Sequence, residues 1–300
     1  MALKSPFSVE LRERRSAMEY RPLGRTGVKV SALCFGCWEI GGLWWGRVEA
    51  RRATRLVRRA VDLGVTAFDT SDVYGNGRSE AILGFALRSM RERVVIITKA
   101  GYQVGADGAQ QLYVDAQGFV DQRFDAPYLR WACELSLWRL RSDYVDVFLL
   151  HDPRPEVVEQ DEPFEALQRL KEEGKARLVG ISSSVKACRR AIERGVVDVV
   201  ECAFNFLEQT AREEMFPLAV EKGVGILARS PFASGRLFQP QHAEGLQALA
   251  PHLPLAEAAI KFVLAHPEPS CCITGIMRMK ELRQNVRAAQ PPYLPLESPD

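Results

Sequence analysis

The chain has 300 residues, of which 47% are hydrophobic and 26% are charged. This is the composition of an ordinary globular protein, and it excludes collagen-like, coiled-coil and disordered chains. A formal net charge of +2 is too small to indicate a nucleic-acid partner. The apolar runs are of strand length, well below the roughly 18 residues that a membrane helix needs, so no membrane association is predicted.

The first 17 residues contain no apolar segment suited to a signal peptide, which favours a cytoplasmic protein. We expect residues 1–17 to form a flexible N-terminal arm and residues 18–300 to form one domain. The cysteines number seven, an odd count that favours buried free thiols over a disulfide framework. Cys34 and Cys37 have the spacing of a redox motif, but in a strand their side chains would point to opposite faces.

The stretch YRPLGRTGVKVSAL predicts an opening hairpin, and eight short apolar runs follow it. Each run is followed by a segment of helical period. Glycines at positions 64, 174, 195 and 223 stand just past helical segments, where a left-handed cap is favoured. The eight runs, in chain order, are SALCFGCW, VTAFD, VVIITK, YVDVFLLH, ARLVGIS, VDVVECAF, VGILARS and CCITG.

Strands that are apolar throughout are typical of a parallel sheet covered on both faces. Eight strand–helix units in a chain of this length predict an α/β fold of the (β/α)8 or TIM-barrel type, with the hairpin at its N-terminus. An open doubly wound sheet is the alternative, but the early glycine cluster IGGLWWG lacks the G-x-G-x-x-G spacing. Two long connections, of about 25 residues after Gly101 and about 20 after Ser230, are predicted to be lids or binding loops.

Four polar residues stand at or near the carboxyl ends of predicted strands, where a barrel carries its chemistry. Asp69 ends TAFD, Lys99 ends VVIITK, His151 ends YVDVFLLH, and Tyr74 follows Asp69 in the next loop. A lysine near a phenol lowers the phenol's pKa, an aspartate keeps the lysine charged, and a histidine holds a carbonyl oxygen or assists proton transfer. Each residue alone has a structural explanation, such as packing or helix capping. Their joint placement predicts a site that exchanges a proton with a carbonyl or alcohol oxygen.

The segment FDTSDVYGNGRSE, from Phe68 to Glu80, resembles the F-D-T-A-x-x-Y-G-x-S-E signature of the aldo-keto reductase family. The strand that ends at Lys99 and the D-Y-V-D-x-x-x-L-H stretch that ends at His151 resemble two further blocks of that family, and the similarity runs from about Tyr20 to Ala289. The resemblance implies a (β/α)8 barrel that transfers hydride between a nicotinamide dinucleotide and an aldehyde, ketone or sugar carbonyl. It implies Tyr74 as general acid or base, with Lys99 and Asp69 tuning it.

The same resemblance implies which residues contact the cofactor. Ser182 and Ser183 correspond to a family Ser-Asn pair at the carboxamide, Glu201 replaces a glutamine, and Arg229 replaces a stacking aromatic residue. Residues that would border or pair with the pyrophosphate are Ser230, Phe232, Ala233, Gly235 and Arg236. Trp38 and Asp69 are also expected to contact the cofactor.

The segment ITGIMRMKELRQN resembles the family's stretch around the adenosine 2′-phosphate, which contains Gly275 and has Thr274 in place of a proline. Arg278, with Lys280 as a second candidate, is the available cation, and Gln284 and Asn285 fall at the adenine. NADP(H) is therefore favoured, with NAD(H) as the alternative because Glu281 stands where some family members carry arginine.

Aromatic residues that follow the first and seventh barrel strands are candidates for the substrate pocket: Trp38, Trp44, Trp45 and Phe232. Tyr102, Tyr113 and Phe119 on the long loop are weaker candidates. We predict a small-molecule carbonyl or sugar substrate and no metal. Two alternatives stay open, a sugar dehydrogenase that runs in the oxidative direction and a cofactor-binding regulatory subunit with little turnover.

Overall fold

In the computed structural model, residues 18–42, 48–103 and 121–295 are described. Two short antiparallel strands, β1 (Tyr20–Pro22) and β2 (Lys29–Ser31), form the predicted hairpin. Eight parallel strands then close into a barrel in sequence order, with the last strand paired to the first. They are β3 (Leu33–Gly36), β4 (Ala67–Asp69), β5 (Val95–Ala100), β6 (Val145–His151), β7 (Ala176–Ser182), β8 (Val199–Ala203), β9 (Gly225–Arg229) and β10 (Cys271–Gly275).

Helices cover the outside of the barrel, and none in the described ranges is long and apolar enough to cross a membrane. In chain order they are α1 (Trp38–Gly41), α2 (Ala50–Asp62), α3 (Arg78–Leu87), α4 (Ala126–Leu140), α5 (Pro155–Val158), α6 (Glu162–Glu172), α7 (Val185–Arg194), α8 (Thr210–Glu214), α9 (Phe216–Lys222), α10 (Pro240–Leu249), α11 (Leu255–Ala265) and α12 (Met279–Ala288). Short 3-10 turns occupy Arg88–Arg93 and Ala233–Phe238.

The fold prediction is confirmed: all eight predicted strands are present, in the predicted order. The four predicted capping glycines, at positions 64, 174, 195 and 223, all have positive φ. All seven cysteines are buried and free.

Two apolar clusters make up the core. The larger one fills the space between the strands and the helices, and the smaller one fills the barrel interior. Leu23 and Val30 of the hairpin join the interior cluster with Val95 and Val199, the first residues of β5 and β8. The hairpin therefore closes the amino end of the barrel, which leaves the carboxyl ends of the strands for a site.

Two details of the predicted elements are wrong. The connection after Ser230 is not a plain loop, because it contains the Ala233–Phe238 turn and α10. The segment of helical period that follows VDVVECAF, AREEMFPLAVEKG, is not one helix but forms α8 and α9, with Pro217 in the first turn of the second helix. Residues 1–17, Trp44, Trp45, Tyr113 and Phe119 lie outside the described residues, and the predictions made for them stay predictions.

Candidate active site

Three adjacent strands bring the predicted polar residues together. The carboxyl ends of β4, β5 and β6 carry Asp69, Lys99 and His151, and these strands are hydrogen-bonded neighbours. Tyr74 returns over them from the loop after β4: the centroid of its ring lies 5.2 Å from Lys99 Nζ and 5.9 Å from the centroid of the His151 ring. The structure thus places all four predicted residues at one end of the barrel.

Lys99 is fully buried and is surrounded by oxygen atoms. Its ammonium group contacts Asp69 Oδ1 closely, donates to the Thr70 carbonyl oxygen at 3.0 Å, and lies 3.4 Å from Glu201 Oε2. A buried ammonium group is costly unless it is paired and hydrogen-bonded, and here both conditions are met. Asp69, which ends a buried strand, is met by a cation as the sequence suggested.

The two acids decide the protonation of the lysine. Burial would lower the pKa of Lys99, but the charges of Asp69 and Glu201 outweigh it and raise that pKa above its ordinary value. Burial raises the pKa of the Tyr74 phenol. The Lys99 cation lowers that pKa, as predicted from the sequence, but its effect is smaller than that of burial. A phenol with a raised pKa keeps its proton at neutral pH and can donate it.

His151 is held by the hydroxyl group of Ser71, which no sequence pattern had indicated. Ser71 Oγ lies 2.9 Å from His151 Nδ1, 3.0 Å from Asp72 Oδ1 and 3.3 Å from the Lys99 carbonyl oxygen. Burial, and then the Lys99 and Arg229 cations, lower the pKa of His151 well below its ordinary value. The imidazole is therefore neutral at pH 7, with one nitrogen that donates and one that accepts.

Glycines fix the position of Tyr74. A β-carbon on Gly41 of α1 would stand 2.7 Å from the Tyr74 carbonyl carbon, and one on Gly75 would stand 2.2 Å from the Gly41 carbonyl oxygen. Gly75, Asn76 and Gly77 all have positive φ, which turns the chain from Tyr74 into α3. The glycines of the YGNG segment thus hold the loop of Tyr74 against α1.

A cavity of about 760 Å³ opens above these residues. It is lined by Tyr74 and His151, and by nine residues that were expected to contact cofactor or substrate. The nine are Trp38, Asp69, Ser182, Glu201, Arg229, Ser230, Phe232, Gly235 and Gly275. Tyr102, a weaker pocket candidate, also lines it, with its ring centroid 4.8 Å from that of His151.

Six predicted cofactor residues are not in the cavity wall: Ser183, Ala233, Arg236, Arg278, Gln284 and Asn285. Arg236 forms an ion pair with Glu208, Ser183 Oγ donates to Asp152 Oδ1 at 3.3 Å, and Asn285 donates to Thr274 Oγ1 at 3.2 Å. The wall also includes Glu39, Met277 and Glu281, of which only Glu281 stands out in the sequence. No cluster of His, Cys, Asp and Glu able to hold a metal is found in the described ranges.

A closed (β/α)8 barrel with a tyrosine above a buried Lys–Asp pair at its open end has the features of a barrel oxidoreductase. Comparison with known proteins defines the family. The profile of the Aldo/keto reductase family matches residues 32–295, and the chain belongs to this family. The homologues identify it as an oxidoreductase.

Two sequence relatives and one solved structure illustrate the similarity. The uncharacterized oxidoreductase YqkF of Bacillus subtilis is 29% identical over 91% of each chain. L-galactose dehydrogenase of Arabidopsis thaliana is 32% identical over 90% of this chain and 88% of that protein. The holo form of aldo-keto reductase AKR11C1 from Bacillus halodurans has a TM-score of 0.79 and 28% identity, with 93% of each chain covered.

Proposed function

We propose that this protein transfers hydride from a nicotinamide dinucleotide to the carbonyl carbon of an aldehyde, ketone or keto sugar, and that Tyr74 gives a proton to the carbonyl oxygen. The observation that carries the proposal is the position of the Tyr74 ring, which lines the cavity and whose centroid lies 5.2 Å from the buried Lys99 ammonium. As the oxygen gains negative charge, the Lys99 cation stabilises the phenolate that proton transfer leaves behind.

The residues at the base of the cavity fit a nicotinamide carboxamide. Glu201 Oε1 accepts from Ser182 Oγ at 2.8 Å, whereas Glu201 Oε2 is buried and lies 3.4 Å from the Lys99 ammonium without a hydrogen bond among the described residues. The amide nitrogen of the carboxamide would give this oxygen a hydrogen bond. Arg229, whose guanidinium lies 3.9 Å from Glu201 Oε1, offers a planar surface for the ring. A bound dinucleotide would supply the hydride, and Ser182, Glu201 and Arg229 would hold its nicotinamide end.

Ser71 and Asp72 support the role of His151. If the Asp72 carboxyl keeps its proton, it donates to Ser71, and Ser71 donates to His151 Nδ1. The neutral imidazole then carries its proton on Nε2, which is the form that can donate to a substrate carbonyl oxygen. Ser71 stands where the family signature quoted above has alanine.

The sequence favours NADP(H) as the dinucleotide, with NAD(H) as the alternative, and Arg278 is the cation on which that preference depends. The substrate is a small molecule, and the aromatic wall suits either an apolar carbonyl or a sugar ring. The similarity to a protein named L-galactose dehydrogenase favours sugar oxidation as a second candidate. In that direction Tyr74 takes the proton from the sugar hydroxyl. The proposed setting is the cytoplasm.

Tyr74→Phe tests the proposal. It removes the proton donor and leaves the ring in place, so kcat should fall by about 10²- to 10⁴-fold while dinucleotide binding is retained. Turnover is measured on a panel of aldehydes, ketones and keto sugars with saturating NADPH or NADH, and on aldose sugars with NADP+ or NAD+. Binding is followed by nicotinamide fluorescence.

Tyr102→Phe is the matched control because it removes another phenol from the same cavity, one that donates to Asp152 Oδ2 at 3.2 Å. It should retain most of the wild-type turnover. Equal turnover in wild type and Tyr74→Phe would refute the role of Tyr74. Tight dinucleotide binding with no turnover on any compound of the panel would favour the regulatory subunit instead.

A further inference from the structure

One part of the cavity wall is acidic. It is formed by the carboxyl end of β10, by α1 and by the N-terminus of α12, and it includes Glu39, Gly275, Met277 and Glu281. By the resemblance described above, this is the part of the cavity that would receive the adenosine end of a dinucleotide. The charges that line it therefore bear on whether a phosphate or a hydroxyl is accepted at the ribose 2′ position.

Glu281 accepts hydrogen bonds from the backbone N–H groups that an anion would otherwise bind. Its Oε2 atom accepts from the backbone nitrogen of Met277 at 2.9 Å and from that of Arg278 at 3.0 Å. Free N–H groups at a helix N-terminus favour phosphate, but here a carboxylate of the protein already binds them. A 2′-phosphate at this position would have to displace Glu281 and would then lie beside its negative charge.

Glu39 adds a second acid. Its carboxylate packs directly on Gly275, where a β-carbon would stand 1.7 Å from Glu39 Oε1, and its Oε2 atom is buried with no hydrogen-bond partner in the described part of the chain. The pKa of Glu39 is raised to about 7, mainly because the carboxyl group is buried. A backbone hydrogen bond acts to lower this pKa, and the charge of Glu281 contributes to the rise. The two acids are thus close enough to interact.

Basic residues stand on α12 beside this wall, but Arg278, Lys280 and Arg283 are not among the residues that line it. The side chain of Arg278 is 72% exposed and its Nε atom lies 3.8 Å from Glu281 Oε1, so water screens it and a carboxylate already faces it. Among the described residues of the cavity wall, Arg229 is the only lysine or arginine, and it lies beside Glu201 at the other part of the site.

From this arrangement we infer that Glu281 selects the cofactor by accepting a hydrogen bond from the ribose 2′-hydroxyl, so that NAD(H) is bound in preference to NADP(H). A carboxylate recognises the 2′-hydroxyl of NAD in dinucleotide sites of other folds, where arginine accommodates the 2′-phosphate of NADP. The inference rests on the proposed function, and it reverses the preference that the resemblance implied.

Dissociation constants for NADH and NADPH test the inference without any turnover. They are measured by nicotinamide fluorescence on wild type, Glu281→Gln and Glu281→Arg at one pH and salt concentration. Wild type should bind NADH at least about tenfold more tightly than NADPH, because a dianionic phosphate meets like charge. Glu281→Gln keeps an acceptor for the backbone N–H groups while removing the charge, so it should bring the dissociation constants for NADH and NADPH closer together. Glu281→Arg should bind NADPH more tightly than NADH.

Glu165→Gln is the control, since Glu165 lies on α6 with a 62% exposed side chain and forms only an i,i+4 pair with Arg169. This variant should keep the wild-type ratio of the NADPH and NADH dissociation constants. Wild type that prefers NADPH, or a ratio unchanged in Glu281→Gln and Glu281→Arg variants that still bind dinucleotide, would overturn the inference and leave the proposed function intact. Binding of neither dinucleotide to wild type would refute both.

Discussion

Asp72 is a carboxyl group that the fold buries without a cation in hydrogen-bond contact. It is 1% exposed, its Oδ1 atom lies 3.0 Å from Ser71 Oγ, and its Oδ2 atom has no hydrogen-bond partner among the described residues. Burial, with a smaller contribution from the charge of Glu80, raises its pKa from 3.8 to about 8. The folded protein therefore holds a proton at Asp72 at neutral pH that the unfolded chain has released.

This difference predicts a pH dependence of stability. Between about pH 4 and pH 8 the folded state binds more protons than the unfolded state at this position, so the free energy of unfolding falls as pH rises, by at most about 1.4 kcal/mol per pH unit. Asp72→Asn imitates the protonated carboxyl and should remove this contribution. Denaturant unfolding of wild type and Asp72→Asn at about pH 5, 6, 7 and 8 measures this contribution.

Asp62→Asn provides the comparison, because the Asp62 side chain is 62% exposed on α2. Its unfolding free energy should follow the wild-type pH dependence. If the free energy of Asp72→Asn changed with pH as steeply as that of wild type, the protonated state of Asp72 would be refuted.

The four principal site residues could be predicted because a barrel collects whatever its strands carry at their carboxyl ends. Asp69, Lys99 and His151 each end an apolar run that is readable on its own. The contact of Ser71 with His151 could not be predicted in this way, since the two residues are 80 positions apart and only the closed barrel joins them. Glu39 was missed for the same reason: Gly275, the residue it packs on, belongs to the last strand.

At the scale of elements, apolar strands and the helix ends marked by glycine were readable, but a break within a helical segment was not. A parallel strand buried on both faces reads as an uninterrupted apolar run, so β4 to β10 were found from composition alone. The division between α8 and α9 depends on Met215, which has φ −128° between two helical segments, and periodicity does not register such a break. Pro217 was the available signal, because proline is favoured in the first turn of a helix.

The contact between α1 and the Tyr74 loop gives the prediction at this scale. Gly41→Ala would place a β-carbon 2.7 Å from the Tyr74 carbonyl carbon and 2.8 Å from the Gly75 nitrogen, so the loop must move. A displacement of roughly 1 Å at a reacting group can cost about 10²-fold in rate, and we expect a fall of that order in kcat. Steady-state kinetics and a thermal melt of the same sample measure turnover and folding separately.

Gly174→Ala is the control for backbone strain. Gly174 has φ +73°, and nothing lies within 4 Å of the position that a β-carbon would take there. Alanine should therefore cost stability, by about 1 kcal/mol, without moving the site. Normal kcat in Gly41→Ala would show that the approach of α1 does not position Tyr74.

At the scale of the whole molecule, Arg21 connects the N-terminal hairpin to residues near the C-terminus by hydrogen bonds. Its guanidinium donates to the carbonyl oxygens of Leu264 at 2.6 Å, His266 at 2.9 Å and Pro269 at 3.1 Å. It also pairs with Glu19 at 2.9 Å and lies 5.3 Å from the centroid of the Tyr293 ring. One buried side chain thus joins β1 to the end of α11 and to the C-terminal segment.

Arg21→Met keeps the apolar stem and removes every donor, which leaves three carbonyl oxygens and the Glu19 carboxylate without this partner. The expected loss of stability is about 2 to 4 kcal/mol, within the range for breaking a buried charged contact. Arg177→Met removes a guanidinium that is 56% exposed, and it should cost far less. Chemical denaturation of the three proteins measures the difference, and equal losses in both variants would contradict the role of Arg21.

The same variant should separate stability from turnover. Arg21 acts where the hairpin closes the amino end of the barrel, and Tyr74 acts at the carboxyl end, so the folded fraction of Arg21→Met should keep the wild-type kcat well below its melting temperature. Gly41→Ala should show the opposite behaviour, with its larger effect on kcat. A fall in kcat for fully folded Arg21→Met would show that the two ends of this barrel are coupled, and the independence of scaffold and site would have to be abandoned.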